Sequence, residues 1–260
     1  MSAEPAALLA TRGLAVSIAG RRVCRDLELR LEPGQCWALL GRNGVGKTTL
    51  LHTLAGLRRA DAGSVELGGA PLAALPRRRV AQQLGVLPQD NRDLFPATVL
   101  ETALIGRHPH LGGLGWEGPE DLALAHAALA EVGLQGCAAR SVTTLSGGER
   151  RRLALATLLV QQPRVALLDE PANHLDLRHQ VELLALLAAR ARRDGGALLL
   201  VAHDVNLAAR CCDHALLLLG DGATRAGRFA AVVDAATLGQ LYGHPVVEVA
   251  GPHGPAWLPA

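Results

Sequence analysis

The stretch Gly41-Arg42-Asn43-Gly44-Val45-Gly46-Lys47-Thr48 decides the fold of this chain. It matches the pattern G-x-x-x-x-G-K-[ST] and stands between an apolar run at residues 37–40 and a helical pattern at about 47–57. Glycines in such a turn let backbone N–H groups curl around phosphates, the lysine binds the β- and γ-phosphates, and the Thr48 hydroxyl can ligate Mg²⁺. An ordinary glycine-rich turn fits less well, because strand, helix, lysine and threonine all occur in the required order. The predicted phosphate contacts are Gly41, Arg42, Asn43, Gly44, Val45, Gly46, Lys47, Thr48 and Thr49.

The length and composition of the chain limit the number of domains and the kinds of partner that it can have. The chain has 260 residues, 49% of them hydrophobic, and a formal net charge of +2. This length suits one domain with an inserted lobe, and the near balance of charge argues against nucleic acid as the main partner. The apolar runs are much shorter than the roughly 18 residues of a membrane span, and residues 1–12 lack the pattern of a signal peptide. We therefore expect a cytosolic protein, and the five cysteines, which form no Cys-x-x-Cys pair, predict free thiols.

Short apolar runs alternate with helical patterns along most of the chain, which is typical of a parallel sheet covered by helices. The predicted buried strands are residues 37–40, 165–168, 198–202 and 215–219. Residues 8–32 and 64–67 instead show the alternation of short antiparallel strands. We predict an α/β fold in which a mainly parallel sheet with flanking helices carries an N-terminal antiparallel β layer and an inserted helical subdomain. The predicted parts of this single domain are a core with its β layer at about 8–90 and 160–220, the helical subdomain at about 91–159, and a loosely packed, Gly- and Pro-rich tail at about 221–260.

Two carboxylates, Asp169 and Glu170, follow the apolar run at residues 165–168. Open parallel sheets bind their ligands at the carboxyl ends of the strands, so both acids are predicted to lie beside the phosphates. Asp169 is expected to hold the Mg²⁺ water shell, and Glu170 to act as general base or to position the attacking water. Without the phosphate loop, the same two acids would be interpreted as an ordinary strand end before Pro171.

Two further polar residues follow apolar runs. His203 comes directly after residues 198–202 and is predicted to hydrogen-bond the γ-phosphate. Gln89 lies between the core and the helical insertion, which makes it a candidate sensor whose amide reaches the metal or the attacking water. Taken alone, each residue would be an ordinary polar loop residue.

The stretch Leu145-Ser146-Gly147-Gly148-Glu149 allows two interpretations. Ser146 followed three residues later by Glu149 is an ordinary capping box. The same Ser-Gly-Gly run, opening a helix, also offers free backbone N–H groups and the positive end of a helix dipole to a phosphate. The two interpretations are compatible, because a well-capped helix start holds Ser146 and the glycines in place.

Taken in order, these motifs resemble the ATP-binding subunits of ABC transporters, and the resemblance covers nearly the whole chain. The turn Asn173-His174-Leu175-Asp176 is part of it. The resemblance implies a P-loop NTPase core, ATP and Mg²⁺ as cofactors, and ATP hydrolysis by two copies paired head to tail. It implies that Ser146, Gly147 and Gly148 of one copy meet the γ-phosphate held by the other, and that Asp176 communicates across the interface.

Two weaker segments narrow the resemblance. Gly106-Arg107-His108-Pro109-His110-Leu111-Gly112 and Leu241-Tyr242-Gly243-His244-Pro245-Val246 are similar to segments in the ATPases of ferric-siderophore, haem and cobalamin importers. The resemblance therefore implies a peripheral subunit on the cytoplasmic face of the inner membrane. Its partners would be integral-membrane permease subunits and, indirectly, a substrate-binding protein.

The chain departs from the family pattern at Ile18. The family usually carries an aromatic residue near this position, where it stacks on adenine, whereas isoleucine offers only apolar contact. This departure predicts weaker adenine binding and looser discrimination between ATP and GTP. Glu149, where the family frequently has Gln, is a smaller departure, because Glu suits a capping box equally well.

Three alternatives stay open at the level of sequence. The first is an importer or exporter ATPase for another substrate, because the substrate contacts proteins other than this one. The second is a non-transport ABC ATPase acting on ribosomes or DNA. However, the family members that act on ribosomes resemble two ATPase units in one chain, and those that act on chromosomes carry a long coiled coil, and this sequence shows neither feature. The third, an inactive nucleotide-binding module, is disfavoured because Lys47, Asp169, Glu170 and His203 are all intact.

Overall fold

A six-stranded sheet forms the centre of the molecule in the computed structural model, which describes residues 6–89, 96–112, 115–173, 175–251 and 254–260. The strand order is β11-β10-β4-β9-β8-β7, with every neighbouring pair parallel except β10 and β11. The strands are β4 Cys36–Gly41, β7 Leu84–Leu87, β8 Val165–Asp169, β9 Ala197–Val201, β10 His214–Gly220 and β11 Ala223–Arg228. The four predicted core strands are thus present, and β7 and β11 are additional to them.

A second, antiparallel sheet covers one face of the central sheet, as predicted from the N-terminal alternation. Its order is β2-β1-β5-β6, with β3 also paired to β1. Its strands are β1 Leu9–Ile18, β2 Arg21–Leu27, β3 Arg30–Leu31, β5 Ala62–Leu67 and β6 Ala70–Pro71. The predicted α/β fold class with an antiparallel layer is confirmed.

Helices flank the central sheet in the described part of the chain. They are α1 Lys47–Leu54, α2 Arg77–Gln83, α3 Val99–Leu104, α4 Pro119–Glu131, α5 Gly147–Gln161, α6 Leu177–Asp194, α7 Val205–Cys211, α8 Phe229–Val232 and α9 Ala235–Tyr242. Helices α3, α4 and α5 contact one another. Ala125, Leu129 and Leu155 are fully buried between them.

The central sheet is buried on both faces because successive side chains of a strand point to opposite sides. Leu199 of β9 packs with α1 and the antiparallel layer, whereas its neighbour Leu200 packs with α6 and α7 on the other side. Burial on both faces explains why the core strands are continuous apolar runs rather than alternating ones.

The prediction of a loosely packed tail after Gly220 is wrong. Strand β11 extends the central sheet, and α8, α9 and the hairpin of β12 Val246–Gly251 and β13 Gly254–Pro259 follow it. Phe229, Leu238 and Trp257 from this segment are buried in the core. The hairpin is fastened by Asn206 of α7, whose side-chain amide donates to Trp257 O (3.1 Å) and whose Oδ1 accepts from Trp257 N (2.8 Å). Glycine and proline content misled the prediction, because Gly222, Gly243 and Gly251 lie at a turn, a helix end and a strand end of a packed unit.

The topology brings the predicted site residues to one edge of the sheet. Strands β4, β9, β8 and β7 are parallel neighbours, so their carboxyl ends lie side by side. The phosphate loop follows β4 and Glu170 follows β8. His203 comes two residues after β9, and Gln89 two residues after β7. Four segments that are distant in sequence therefore meet at the edge where open parallel sheets bind ligands.

Candidate nucleotide-binding and hydrolysis site

The phosphate loop between β4 and α1 is shaped by a close approach at Gly46. Its φ is 107°, a left-handed conformation that favours glycine. A Cβ at this position would lie 2.4 Å from Cγ2 of Val23, a fully buried residue of β2. The antiparallel layer therefore packs in direct contact with the loop, and no residue with a Cβ fits at Gly46.

Lys47 lies inside this loop and is almost fully buried. Its Nζ donates to Gly41 O (2.8 Å) and Arg42 O (3.2 Å), so the side chain closes the loop on itself. Burial lowers the pKa of the Lys47 amine, while the neighbouring carboxylates of Glu170 and Asp169 act in the opposite direction. Through Gly41 O at the carboxyl end of β4, the ammonium lies at the same edge of the sheet as the two acids.

The first turn of α1 has no side-chain cap. Its N-cap is Gly46, which has no side chain, and no acidic residue lies in the first turn. The N–H groups at this helix start therefore lack the partners that Ser, Thr or Asp provide elsewhere. With the positive end of the helix dipole, they form a site suited to an anion.

Asp169, the last residue of β8, is completely buried, and in the part of the chain that the structure describes neither carboxylate oxygen has a hydrogen-bond partner of ordinary geometry. Burial raises the pKa of Asp169, and the nearby hydroxyl of Thr48 partly opposes this shift. An unpaired buried carboxylate is costly unless a partner such as a cation neutralises it. Asp169 and Thr48 therefore bring hard oxygen ligands together beside the phosphate loop.

Glu170 is the centre of a hydrogen-bonded cluster. Its Oε2 accepts from Gln89 Nε2 (3.2 Å) and from Asn173 Nδ2, and its Oε1 is in hydrogen-bonding contact with His203 Nε2. These partners come from three different segments, after β7, β8 and β9. The structure thus brings Glu170, His203 and Gln89 together, and it adds Asn173 as a direct partner of the glutamate.

The backbone at Glu170 is strained. Its φ is 50°, a left-handed value that a residue with a Cβ rarely adopts and that costs on the order of 1 kcal/mol or more. Such a conformation persists only where the surroundings hold it. It turns the chain sharply after β8.

Arg151 of α5 is a site residue that the sequence interpretation missed. It is 5% exposed and donates to backbone carbonyls on both sides of Gln89 and of Glu170. It lies in a run of three arginines, which is usually a solvated surface. One signal was available: Arg151 heads the stripe of Leu155, Leu158 and Leu159 at spacings of four, seven and eight residues, which is the buried face of the helix.

The start of α5 lies open to solvent. Ser146 Oγ accepts from Glu149 N (3.2 Å) and Glu149 Oε2 accepts from Ser146 N (2.8 Å), so the capping box is formed. Ser146 and Gly147 are exposed, and a Cβ on Gly147 would meet nothing within 4 Å. Among the described residues, no hydrogen bond joins Ser146, Gly147 or Gly148 to the phosphate loop of the same chain. This helix start is free to meet a ligand from outside.

Asp176 caps the next helix. Its Oδ1 accepts from His179 N (2.9 Å) at the start of α6, and these hydrogen bonds hold the pKa of Asp176 below its ordinary value. The side chain is 67% exposed and takes no part in the cluster around Glu170. His174 of the same turn lies outside the described residues.

Comparison with known proteins then identifies the family. The family model described as ABC transporter matches residues 24–173, which is more than half of the chain. This chain belongs to the ABC transporter family. It is 42% identical to the hemin import ATP-binding protein HmuV of Myxococcus xanthus, over 96% of this chain and 96% of that protein. It is 39% identical to the cobalamin import ATP-binding protein BtuD of Halobacterium salinarum, over 81% of this chain and 52% of that protein.

A solved structure agrees with this result over nearly the whole ABC chain. The chain matches, with a TM-score of 0.85 and 27% identity, a chain of an ABC transporter described as metal-chelate type, in an inward-facing conformation. The match covers 98% of both chains. The predictions of an ABC ATP-binding subunit and of ATPase activity are confirmed. Within the part of the chain that the structure covers, no helix combines the length and the apolar character needed to cross a membrane.

Ile18 lies at the end of the hairpin that contacts the ABC phosphate loop. It is the last residue of β1, pairs with Arg21 of β2 and is 43% exposed. Val23 of the same β2 strand packs against Gly46. The predicted contact of Ile18 with the base stays a prediction.

The segment from Gly106 to Gly112 is held firmly in this ABC chain. A Cβ on Gly106 would lie 2.2 Å from Thr157 O of α5, so only glycine allows this approach. Arg107 Nε donates to Asp121 Oδ1 (2.7 Å) and His110 Nε2 lies 2.9 Å from Gln161 O. The segment therefore fastens α3 and α4 to α5.

Proposed function

We propose that this chain is the ATP-hydrolysing subunit of a membrane importer, working as a head-to-tail dimer on permease subunits at the cytoplasmic face of the membrane. One observation carries the hydrolytic part: Glu170 is hydrogen-bonded to Gln89, Asn173 and His203 at the sheet edge where Lys47 lies. A carboxylate held in this way at the carboxyl ends of parallel strands is suited to orient a water and accept its proton.

In the proposed reaction, water attacks the γ-phosphorus of ATP in line with the bond to the bridging oxygen, which breaks as the new bond forms. Glu170 accepts the proton of the water, and His203 holds Glu170 through Oε1. Lys47, the residues of the phosphate loop and the uncapped start of α1 bind the phosphates. Ser146, Gly147 and Gly148 of the second copy complete the site, consistent with the exposure of Ser146 and Gly147.

The residues beside the loop fit Mg²⁺. Among the described residues, the buried oxygens of Asp169 have no hydrogen-bond partner of ordinary geometry. The Thr48 hydroxyl and the Gln89 amide oxygen are further hard ligands of the kind that Mg²⁺ prefers. We propose that Thr48, Gln89 and Asp169 hold the ion, directly or through water. When bound, it supplies positive charge that offsets the charge developing on the phosphate oxygens.

The import function is supported by the relatives. HmuV of Myxococcus xanthus, an import protein for hemin, matches over 96% of this chain. The relatives' names favour import over action on ribosomes or DNA. We propose hemin, or a ferric-siderophore or cobalamin compound, as the transported class, with a substrate-binding protein delivering it to the permease.

Replacement of Glu170 by Gln tests the hydrolytic role. Glu170→Gln keeps the size and most hydrogen bonds of the side chain but cannot accept a proton from water. We expect ATP turnover to fall at least 100-fold while ATP binding persists and ATP drives a stable dimer, measured by phosphate release and size-exclusion chromatography. Glu182→Gln is the matched control, because Glu182 pairs with Arg178 on the exposed surface of α6. Rapid multiple turnover by Glu170→Gln would remove Glu170 from this role.

Transport is tested on the whole complex. The chain is purified with its co-purifying permease, the complex is reconstituted in vesicles, and hemin, ferric siderophore and cobalamin are offered separately on the side of the binding protein. ATP-dependent accumulation of one of them supports the proposal. Transport in the opposite direction, or no transport of any of the three by a complex that hydrolyses ATP, contradicts the importer assignment.

A further inference from the structure

Arg151 of α5 makes an unusually complete set of hydrogen bonds. A guanidinium has five N–H donors in a fixed planar arrangement. Nε of Arg151 donates to Pro171 O (3.1 Å), Nη1 to Pro88 O (2.6 Å) and Gln89 O (3.1 Å), and Nη2 to Asp169 O (2.6 Å) and Glu170 O (2.8 Å). All five acceptors are backbone carbonyls, and all belong to the two segments that carry Gln89 and Glu170.

The hydrogen bonds from Nη2 fix the backbone of the proposed general base. The φ and ψ angles of a residue are set by the peptide planes on either side of it. The carbonyl of Asp169 belongs to the plane before Glu170, and the carbonyl of Glu170 to the plane after it. Because both accept from Nη2, Arg151 holds Glu170 in its left-handed conformation, with φ of 50°.

The hydrogen bonds from Nη1 act in the same way on Gln89. The carbonyls of Pro88 and Gln89 lie in the peptide planes before and after this residue, and both accept from Nη1. Gln89 Nε2 in turn donates to Glu170 Oε2 (3.2 Å). One rigid group therefore sets the backbone of both residues and, through them, the distance between the two side chains.

Arg151 also connects these residues to the start of α5. It follows Ser146, the N-cap of the helix, by five residues, and Gly147 and Gly148 lie between them. A helix moves as a rigid unit over such a length, since each residue is fixed by its neighbours' hydrogen bonds. Any shift of the Ser-Gly-Gly start when it meets a phosphate is therefore transmitted to the five carbonyls.

We propose that Arg151 is a positioning residue that holds Glu170 and Gln89 in their working geometry and couples them to the Ser146–Gly148 helix start. This inference rests on the proposed function, in which that helix start contacts the nucleotide of the second copy. Arg151 does not touch the reacting atoms. Through Arg151, the geometry of Glu170 and Gln89 in a chain's own hydrolytic site depends on whether the start of α5 in that chain contacts the nucleotide bound by the second copy.

Replacement of Arg151 by Lys and by Gln tests the positioning role. Lysine keeps the charge but has three donors on one atom and cannot reach both segments as a planar group. We expect kcat for ATP in the full-length chain to fall at least 10-fold in Arg151→Lys and further in Arg151→Gln. KM is expected to stay within about twofold, because the phosphate loop is untouched. Rates are divided by the fraction of chains that bind a fluorescent ATP analogue, so that partial unfolding does not lower them.

Arg152→Gln is the matched control. Arg152 is the next residue of the same helix, and its Nη1 also donates to backbone carbonyls, those of Val132 (3.2 Å) and Gly133 (3.3 Å) after α4. Its partners lie outside the hydrolytic site, so kcat should stay within about threefold. An Arg151→Lys kcat equal to that of the wild type, or a loss of equal size in Arg152→Gln, would overturn the positioning role.

The coupling is tested in a chain that binds ATP without turning it over. Adding Arg151→Lys to Glu170→Gln should raise the ATP concentration needed for dimer formation at least fivefold, with unchanged affinity of the monomer for the ATP analogue. Equal dimer formation with and without Arg151→Lys would refute the link to the helix start. Failure of the proposed function is distinguishable, because the wild-type chain itself would then hydrolyse no ATP.

Discussion

Lys47 shows how one buried charge organises a loop. Burial penalises the charged amine, and two carbonyls of the loop, together with Asp169 at the end of β8 and Glu170 after it, offset that penalty. The lysine has three N–H donors, of which the carbonyls of Gly41 and Arg42 take two. In the proposed phosphate site, the Lys47 ammonium is thus oriented before any phosphate arrives, and this order would reduce the entropy lost on binding.

Lys47→Ala is expected to weaken ATP binding at least 10-fold, because it removes the charge and the closure of the loop together. The measurement is fluorescence titration with an ATP analogue. Arg59→Ala is the control, since it removes the same charge from an exposed position after α1 and should change affinity less than twofold. Unchanged affinity in Lys47→Ala would count against the phosphate-binding role of the loop.

Ile18 allows a second test at the level of one residue. If its side chain faces the base, Ile18→Tyr adds a ring that stacks on adenine, which lowers KM for ATP and increases the preference over GTP. Steady-state kinetics with both nucleotides provide the measurement. Val247→Tyr, at a position with the same 43% exposure on the β12 strand of a different sheet, should change neither constant. If Ile18→Tyr also leaves both constants unchanged, Ile18 does not face the base.

The start of α5 holds a carboxylate, Glu149, whose pKa is strongly lowered by its hydrogen bonds. Glu149 accepts hydrogen bonds from the backbone of Ser146 and from Arg140 Nη1 (2.9 Å), and these lower the pKa of Glu149 to about 2. In an unfolded chain the carboxyl titrates near its ordinary value of 4.5. The contribution of Glu149 to stability is therefore complete above about pH 4.5 and is lost as the pH falls toward 2.

This difference predicts a pH-dependent effect of Glu149→Gln. The amide cannot ionise, so the variant should be less stable than the wild type at pH 6, and the gap should narrow as the pH falls from about 4.5 toward 2. Urea unfolding followed by circular dichroism at several pH values measures the gap. Glu182→Gln, which replaces an acid in an exposed pair on α6, should show little dependence over that range. A gap for Glu149→Gln that stays constant with pH would contradict the assignment of the shift to the folded helix start.

At the level of elements, apolar runs predicted the core strands to within a residue or two because strands buried on both faces need no alternation. Strand β7 was missed because its four residues follow α2 without a turn signal. The buried role of Arg151 was missed for a related reason. A run of three arginines is usually interpreted as exposed surface. The helical period, however, places one of the three, Arg151, on the buried face of α5.

The C-terminal unit is integrated with the rest of the molecule rather than appended to it. Trp257 is buried, its ring centroid lies 6.1 Å from that of Phe229, and its backbone is bound by Asn206 of α7. Helix α7 begins two residues after His203. The hairpin thus supports the helix that follows the residue in contact with Glu170.

Trp257→Ala is expected to lower the free energy of unfolding by about 3–5 kcal/mol, the usual loss when a buried tryptophan is truncated. Trp116→Ala provides a control with the same change, because Trp116 is 90% exposed and should alter stability by less than about 0.5 kcal/mol. Chemical denaturation of both variants measures the difference. A loosely packed tail would instead make the two variants equally stable.

The sequence by itself determined the phosphate loop, the two acids at the end of β8, the capped helix start and the α/β class, because each depends on local order or on periodicity along the chain. Only the tertiary structure decided that Gln89, Asn173 and His203 meet at Glu170, that Arg151 holds the backbone on both sides of Gln89 and Glu170, and that the C-terminal segment is packed. These contacts join residues far apart in the chain. They depend on which strands are neighbours and which helix face is buried, and the local sequence does not specify either of these.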